Sequence, residues 1–287
     1  LWLGLSSGII VIILGITGCL YVFEEELRPV IHEYYYVDQV QNRELSVSQL
    51  LEIAKKANKK ANPNQELSGC RIFNDDARTV IVWFFEELDK DAIWYWNRYQ
   101  NTYLHLDPYN GNILKFEEYN FEFFVFVRML HQTLCFTGEI GNPIVGTATT
   151  LFIISLITGL ILWWPKNKSA AKQRFWFRWK SATKWKRKNY DLHNILGYYT
   201  MFFSLIIALT GLVWAFKCYD KGIQWVLNGG KTFEKERLVS DTLHYSKNTA
   251  TDKIYAITRK AHPDAKSYFL FIPEEKDSLA TLQSFIK

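Results

Sequence analysis

The chain has 287 residues, of which 48% are apolar and 16% aromatic, and its formal net charge is +5. That charge is an average over charge-free runs and runs dense in Lys, Asp and Glu, so it does not indicate a nucleic-acid-binding protein. Four cysteines without a CxxC spacing predict neither a disulfide framework nor a zinc site. The sequence also contains no glycine-rich phosphate loop and no GxSxG motif.

Three charge-free runs are long enough to cross a bilayer as helices, which takes roughly 20 apolar residues. They are residues 1–23, 144–164 and 198–216. A buried core helix is the alternative for any single run, but three such runs together favour a membrane protein. We therefore expect a mainly α membrane protein with a transmembrane helix bundle. The first run opens the sequence, so we also expect the natural chain to begin before Leu1.

The loops predict the orientation of these spans. Residues 166–188 carry ten Lys or Arg and no acid, so the loop 165–190 is predicted to be cytoplasmic. Residues 24–120 carry 17 Asp or Glu against 11 Lys or Arg and are predicted to lie outside. Three tryptophans among the basic residues favour a loop lying on anionic headgroups. Nucleic-acid binding is an alternative on charge alone.

The segment 24–120 has the pattern of a small α+β domain. Residues 46–61 predict an amphipathic helix capped by Ser46, and residues 107–111 have strong turn chemistry. Between this helix and the turn, four strands are predicted, over residues 71–73, 79–85, 92–99 and 102–107. Residues 218–287 are predicted to begin a second such domain, which the sequence leaves incomplete. Within it we expect a helix over 252–262 and a strand over 267–272.

Two histidines lie next to the predicted spans. His193 is at the cytoplasmic end of the span in 191–217, and His131 is in the segment 121–164. His131 precedes Trp164 by 33 residues, and one helix of that length would measure about 50 Å against a bilayer core of about 30 Å. We expect the helix to break at Gly138, Gly141 and Pro143, which places His131 at the outer end of the bundle.

One histidine near each membrane face suits two b-type haems held by imidazoles from facing helices. Ionisable groups near spans are costly, so they indicate function by default. The alternatives are that His193 caps a helix or meets headgroups, and that His131 packs on the outer surface. Four further histidines, for which a surface or satisfied structural role is favoured, lie in the extracytoplasmic parts: His32, His105, His244 and His262.

The spans share a repeat. A Thr-Gly pair ends or nearly ends each span, and Gly4 precedes Thr17 by 13 residues, as Gly197 precedes Thr210. Small residues at such positions let helices approach closely. Superposing the first span on the third places His193 over the position just before Leu1. The repeat therefore predicts a histidine immediately before Leu1.

Several motifs together resemble the PepSY-associated transmembrane helix family, of the iron-regulated inner-membrane protein and ferric-siderophore reductase type. They are LWLGLSSG with ITG, MLHQTL leading through IVG to ITGLILWWP, and DLHNILGYY with ALTGLVWAF. DPYNGNIL is similar to the end of a PepSY domain. The resemblance implies four core spans, of which the fourth is missing here, and two α+β PepSY-like domains. It also implies haem b, two in the full-length protein, with His131 and His193 as axial iron ligands.

The resemblance further implies a haem-containing reductase in the bacterial inner (cytoplasmic) membrane, a multi-pass protein with its PepSY-like domains in the periplasm. Electrons from a cytoplasmic or quinone donor would reduce a periplasmic ferric siderophore and release its iron. Catalytic residues are not identified by the sequence. The alternative is a membrane-anchored PepSY interaction module that regulates a peptidase or other partner without redox activity. A permease would need charged or broken spans along a path, and these spans carry no charge.

Overall fold

Long apolar helices and an antiparallel sheet are formed by different parts of the chain. The computed structural model describes residues 2–168, 171, 174–231, 247–273 and 283–287. The chain divides into two units, the first formed by Leu1–Thr17 and Leu130–Glu234, the second by Gly18–Met129 and Lys235–Lys287. The described helices are α1 Trp2–Tyr21, α2 Glu24–Ile31, α3 Val47–Ala61, α4 Tyr95–Arg98, α5 Phe123–Thr133, α6 Gly138–Trp163, α7 Trp185–Ala215, α8 Lys217–Leu227 and α9 Lys247–Ala261.

Two of the described helices, α6 and α7, are long and apolar enough to cross a membrane. The number is three if the stretch Ser7–Tyr21 of α1 and the helix α2, which are bent by 60° relative to each other, form one span. The helices α6 and α7 contain most of the charge-free runs 144–164 and 198–216, and no charged side chain interrupts the apolar surface of these runs, which a bilayer would cover.

The helices α6 and α7 form an antiparallel pair in the first unit. Near the end of α6 the ring of Trp163 lies 5.0 Å from that of Tyr198, which is in the first half of α7. Near the start of α6, Gly146 faces Phe216 and Ala215 at the end of α7. A Cβ on Gly146 would come within 2.6 Å of the Phe216 ring, so the glycine is what allows this close approach.

The break between α5 and α6 lies earlier than the sequence predicted. Leu134 and Cys135 have positive φ angles of 54° and 68°, and this left-handed pair ends the α5 segment. The helix α6 then begins at Gly138 and contains Pro143. The predicted break at Gly138, Gly141 and Pro143 is therefore wrong in position. A proline is tolerated inside an apolar helix when neighbouring groups satisfy the freed carbonyl.

The second unit is built on one antiparallel sheet with the strand order β4-β3-β2-β1-β5-β6. Side chains on one face of the sheet, such as Val82, Leu104 and Leu270, are fully buried in a core with Leu50 and Ala54 of α3. The capping box at Ser46 starts α3, as predicted, because the Ser46 hydroxyl accepts the Gln49 amide proton. The strands are β1 Glu66–Phe73, β2 Val80–Glu87, β3 Tyr99–Leu106, β4 Ile113–Glu118, β5 Ser267–Phe271 and β6 Gln283–Ile286.

Four of the five predicted strands correspond to β1, β2, β3 and β5, but the strand predicted over 92–99 is wrong. The short helix α4 occupies that stretch, because its aromatic side chains pack on neighbouring segments instead of pairing in the sheet. Trp96, for example, donates its indole N–H to the Asn120 carbonyl at 2.8 Å and stacks on Phe126. The segments 24–120 and 218–287 both supply strands to this one sheet, and their division into two domains stays a prediction.

Candidate functional site

His131 lies near the end of α5, where its ring meets α1. Its Nδ1 atom is 3.0 Å from the Leu14 carbonyl oxygen and 3.2 Å from the Thr17 hydroxyl oxygen. The Thr17 hydroxyl donates its own proton to the Ile13 carbonyl at 2.6 Å. Two acceptor oxygens of α1 therefore face one ring nitrogen of His131.

This geometry fixes the tautomer of His131. A carbonyl oxygen can only accept a hydrogen bond, so the proton must be on Nδ1. The other ring nitrogen, Nε2, then carries a lone pair, and no residue in the described part of the chain forms a hydrogen bond to it. Histidines that bind metals use this arrangement, in which one nitrogen donates to a backbone carbonyl and the other is the ligand. His131 thus has the arrangement of a histidine that ligates through Nε2, and its role as a metal ligand stays a prediction.

An apolar cavity of about 410 Å³ lies between α1 and α6 in the same unit. Its α1 wall includes Ile10, one helical turn from Leu14, and its α6 wall begins at Pro143. Small side chains reduce the crowding along it: Ser7, Thr147 and Ala148. The cavity therefore lies close to His131 along α1, with the apolar walls and small residues that a porphyrin needs.

His193 lies in the first part of α7 and is exposed. Two residues earlier, Asp191 is buried and accepts hydrogen bonds from the Trp179 indole at 3.2 Å and from the Arg187 guanidinium at 3.1 Å. These bonds attach the basic segment to the start of α7. The His193 ring itself is left accessible.

The two histidines lie at opposite ends of α6. Thr133, two residues after His131, packs against Gly141 near the start of α6. His193 precedes Tyr198 by five residues, about 8 Å along α7, and Tyr198 packs against Trp163 at the end of α6. The helix α6 has 26 residues and is about 39 Å long. The expectation of one imidazole towards each end of the bundle agrees with this placement; the haem-ligand roles stay predictions.

The donor set suits iron that is already held by a porphyrin. Within the described ranges, no three His, Cys, Asp or Glu side chains are grouped so as to hold a bare metal ion. A haem needs only axial ligands from the protein, and a single imidazole with a free Nε2 supplies one. Cys135 follows His131 by four residues, a spacing that would place both on one face of a continuous helix. The left-handed turn at Leu134 and Cys135 prevents this.

The other described histidines have different environments. His105 is fully buried, and its Nε2 lies 3.1 Å from a Glu117 carboxylate oxygen, which indicates a structural role, while its Nδ1 has no partner among the described residues. His262 is exposed. His32 stacks on Tyr34 with ring centroids 5.0 Å apart, and His244 lies outside the described residues.

Sequence reasoning identified His131 and His193 but could not find the acceptors that orient His131. The Leu14 acceptor is a backbone carbonyl, which has no signature in sequence. Thr17 did have one, since it belongs to the repeated Thr-Gly pair, but the repeat indicated only close helix packing.

Together, the apolar helices and the attached sheet define a membrane protein with an α+β domain. The chain belongs to the family described as PepSY-associated TM region, whose pattern it matches over residues 1–278. This confirms the family that the span motifs indicated. No curated protein matches the chain.

Proposed function

We propose that this protein is a haem-containing reductase of the bacterial inner membrane that moves electrons across the bilayer to a periplasmic ferric siderophore. The observation that carries the proposal is the orientation of His131, whose protonated Nδ1 is held by α1 and whose Nε2 is free. Reduction loosens iron from hard oxygen ligands, because Fe(II) binds them less tightly than Fe(III). Iron would thereby leave the siderophore while the chelator stays intact.

His131 and His193 would hold haem through their imidazole nitrogens. When bound, haem would supply one-electron oxidation and reduction at its iron. The Leu14 carbonyl and the Thr17 hydroxyl keep the proton of His131 on Nδ1 and restrict rotation of its ring. Apolar side chains of α1 and α6 would pack against the macrocycle.

The proposed topology has three spans, formed by α1, α6 and α7, with the basic loop 165–190 in the cytoplasm. The ten Lys and Arg of residues 166–188 support this orientation. Within the first unit, the Arg174 guanidinium donates to the carbonyls of Trp163 and Trp164, which attaches the basic loop to the end of α6. A cation at a helix C-terminus is favourable. The sheet of the second unit would then be periplasmic.

The visible spectrum of the purified protein tests the proposal. We expect a Soret band and, after reduction with dithionite, a sharp α-band, with about two haems per chain measured as the pyridine haemochrome. His131→Ala and His193→Ala should each remove part of the absorbance. His262→Ala replaces an exposed histidine of the second unit and serves as the matched control, which should keep the full spectrum.

A colourless wild-type protein would refute the redox proposal and favour the membrane-anchored interaction module instead. Equal haem content in the wild type and both variants would refute the assignment of His131 and His193. If haem is bound, mixing the dithionite-reduced protein with a ferric hydroxamate or catecholate should reoxidise it. Failure of that reoxidation would refute the choice of substrate.

A further inference from the structure

The sheet of the second unit has a cleft on the face opposite its core. The cleft has a volume of about 670 Å³, within the range of small-molecule sites. Its floor is aromatic and contains Trp83, Phe269 and Phe271. Arg71 and Arg78 line it where β1 ends. We call this feature the arginine cleft.

Strand alternation builds the aromatic floor. Arg71 is paired with Ile81 on β2 and with Phe269 on β5, so the three side chains share one face. Gly69 precedes Arg71 on the same face of β1. A Cβ on Gly69 would collide with the Trp83 ring and the Leu270 carbonyl. The absence of a side chain at Gly69 therefore lets the Trp83 indole lie across the strand as part of the floor.

Two guanidinium groups share one aromatic ring beside this floor. The Arg71 guanidinium carbon is 4.5 Å from the Phe73 ring centroid and 4.6 Å from that of Phe269. The Arg78 guanidinium carbon is 4.1 Å from the same Phe73 ring. Cations on aromatic faces are attracted by the ring quadrupole but keep their hydrogen-bond donors free at the edge. Several N–H donors are thus concentrated near Phe73.

The two arginines differ in their carboxylate partners. Arg71 is 3.2 Å from a Glu25 oxygen, and the same oxygen is also bound by the Lys287 amine. Arg78 has no carboxylate partner among the residues that the structure describes, and its Nε is buried without an acceptor. A guanidinium without a paired carboxylate is a favourable partner for an added anion, which the remaining Arg78 N–H groups would bind.

Acidic side chains also line the cleft, but those that the structure describes form no ion pair with Arg78. Glu24 is paired with Arg28 at 2.9 Å. An Asp75 carboxylate oxygen accepts the Ala77 amide proton at 3.0 Å and so belongs to the turn before β2. Glu26 is exposed. Among the described residues of the lining, Arg78 therefore has no carboxylate partner, and the exposed Lys266 lies in the same lining.

We propose that the arginine cleft binds an anionic small molecule with an aromatic body, of the aromatic carboxylate class. The carboxylate accepts hydrogen bonds from Arg78, and the aromatic body lies on the Trp83, Phe269 and Phe271 floor. Guanidinium and carboxylate match as a bidentate pair, which gives geometric specificity. The proposal concerns only the second unit and does not depend on haem.

The test uses the purified full chain in detergent and isothermal titration calorimetry with 2-naphthoate as the probe. Two analogues separate the contributions: 2-naphthamide keeps the ring system without the charge, and cyclohexanecarboxylate keeps the charge without the aromatic body. Titration into empty micelles corrects for partitioning. We expect 2-naphthoate to bind at least about tenfold more tightly than either analogue, because each lacks one charged or stacking contribution. Equal affinities would overturn the proposal.

Variants locate the site. Arg78→Gln should weaken 2-naphthoate binding by about tenfold or more, while Arg78→Lys keeps a charge and should lose less. Arg98→Gln is the control, since Arg98, like Arg78, lies over a tyrosine ring but is outside the cleft and pairs with Glu87. Equal weakening by both glutamine variants would contradict the site.

Hydrogen exchange of the wild type gives a second readout if Arg78→Gln does not fold. The peptide covering the turn 74–79 should be protected by 2-naphthoate and not by 2-naphthamide. Protection elsewhere, without protection of this turn, would place the ligand outside the arginine cleft and refute the proposal. Loss of haem binding would leave all of these results unchanged.

Discussion

We predict that the edge of the sheet in the second unit loses stability in mild acid because of His105. This ring is fully buried on β3 and donates from Nε2 to Glu117 at 3.1 Å. Its Nδ1 is buried without a partner. The Tyr34 hydroxyl donates to the other Glu117 oxygen at 2.7 Å, and the Tyr35 ring lies 4.7 Å from the imidazole. The network is thus a neutral histidine beside a buried carboxylate.

The sign of the pH dependence follows from two pKa shifts. Burial lowers the pKa of His105 below its ordinary value of 6.5, against the opposing effect of Glu117, and the positive charges of Arg28 and His32 lower it further. The folded state therefore takes up the proton less readily than the unfolded state, so stability is complete above about pH 6.5 and falls as the pH decreases below it. Each unit of pKa depression is worth about 1.4 kcal/mol.

Glu117 adds to the acid sensitivity at lower pH. Its burial raises its pKa, but the hydrogen bond and charge of His105 and the bond from Tyr34 lower it more, so the net pKa is below 4.5. A depressed carboxyl pKa contributes stability that is present above the unfolded value and lost as the pH falls through the folded one. Loss of stability between pH 6.5 and 5 is therefore assigned to His105 alone.

Hydrogen exchange of peptides from β3 and β4 measures this loss, after correction for the intrinsic pH dependence of exchange. The opening free energy should fall between pH 7 and 5 in the wild type. His105→Gln keeps an N–H donor towards Glu117 but cannot titrate, so its opening free energy should stay nearly constant over that range. His262→Gln, the exposed control, should behave as the wild type. The reasoning is refuted if His105→Gln shows the same decline as the wild type.

Three further predictions concern stability. Glu122→Gln should lower the free energy of unfolding of the second unit by about 2–3 kcal/mol in denaturant titrations, because it breaks a buried ion pair with Arg28 at 2.6 Å. The control is Glu52→Gln, which removes an exposed ion pair and should leave the midpoint of unfolding unchanged. Ser46→Ala should cost about 1 kcal/mol, seen as faster exchange in the first turn of α3, because the capping box is lost. Gly69→Ala should cost about 1–3 kcal/mol in the same titrations, since the indole over the strand must move.

Local patterns in the sequence were sufficient to predict several helices and strands of the fold. Charge-free runs of the right length predicted α6 and α7, and the Ser46 signature predicted the start of α3 within one residue. The aromatic run at 92–99 misled the strand prediction, because aromatic residues are frequent both in strands and in packed turns. The conformation of this stretch depends on contacts of Trp96 with Asn120 and Phe126, which are distant in sequence.

Long-range pairing could not be predicted from the sequence. The strand β5 joins β1 through contacts such as Arg71 to Ser267, which are 196 residues apart. No local signal specifies such a partner, so the sequence could not show that strands from 24–120 and 218–287 form one sheet. The arginine cleft has the same origin. Arg71 and Phe73 share a face by alternation, but Phe269 reaches them only through the β1–β5 pairing.

The Thr-Gly repeat shows how one local pattern can serve two purposes. In each of the helices α1, α6 and α7 the threonine hydroxyl donates to a carbonyl of the preceding turn: Thr17 to Ile13, Thr158 to Ile154 and Thr210 to Ile207.

The hydroxyl proton is therefore used within the helix, and the oxygen remains as an acceptor on the helix surface. An acceptor can only be matched by a donor, and His131 offers its Nδ1–H to Thr17. The same residue that lets the helices approach thus selects the tautomer in which the lone pair is on Nε2.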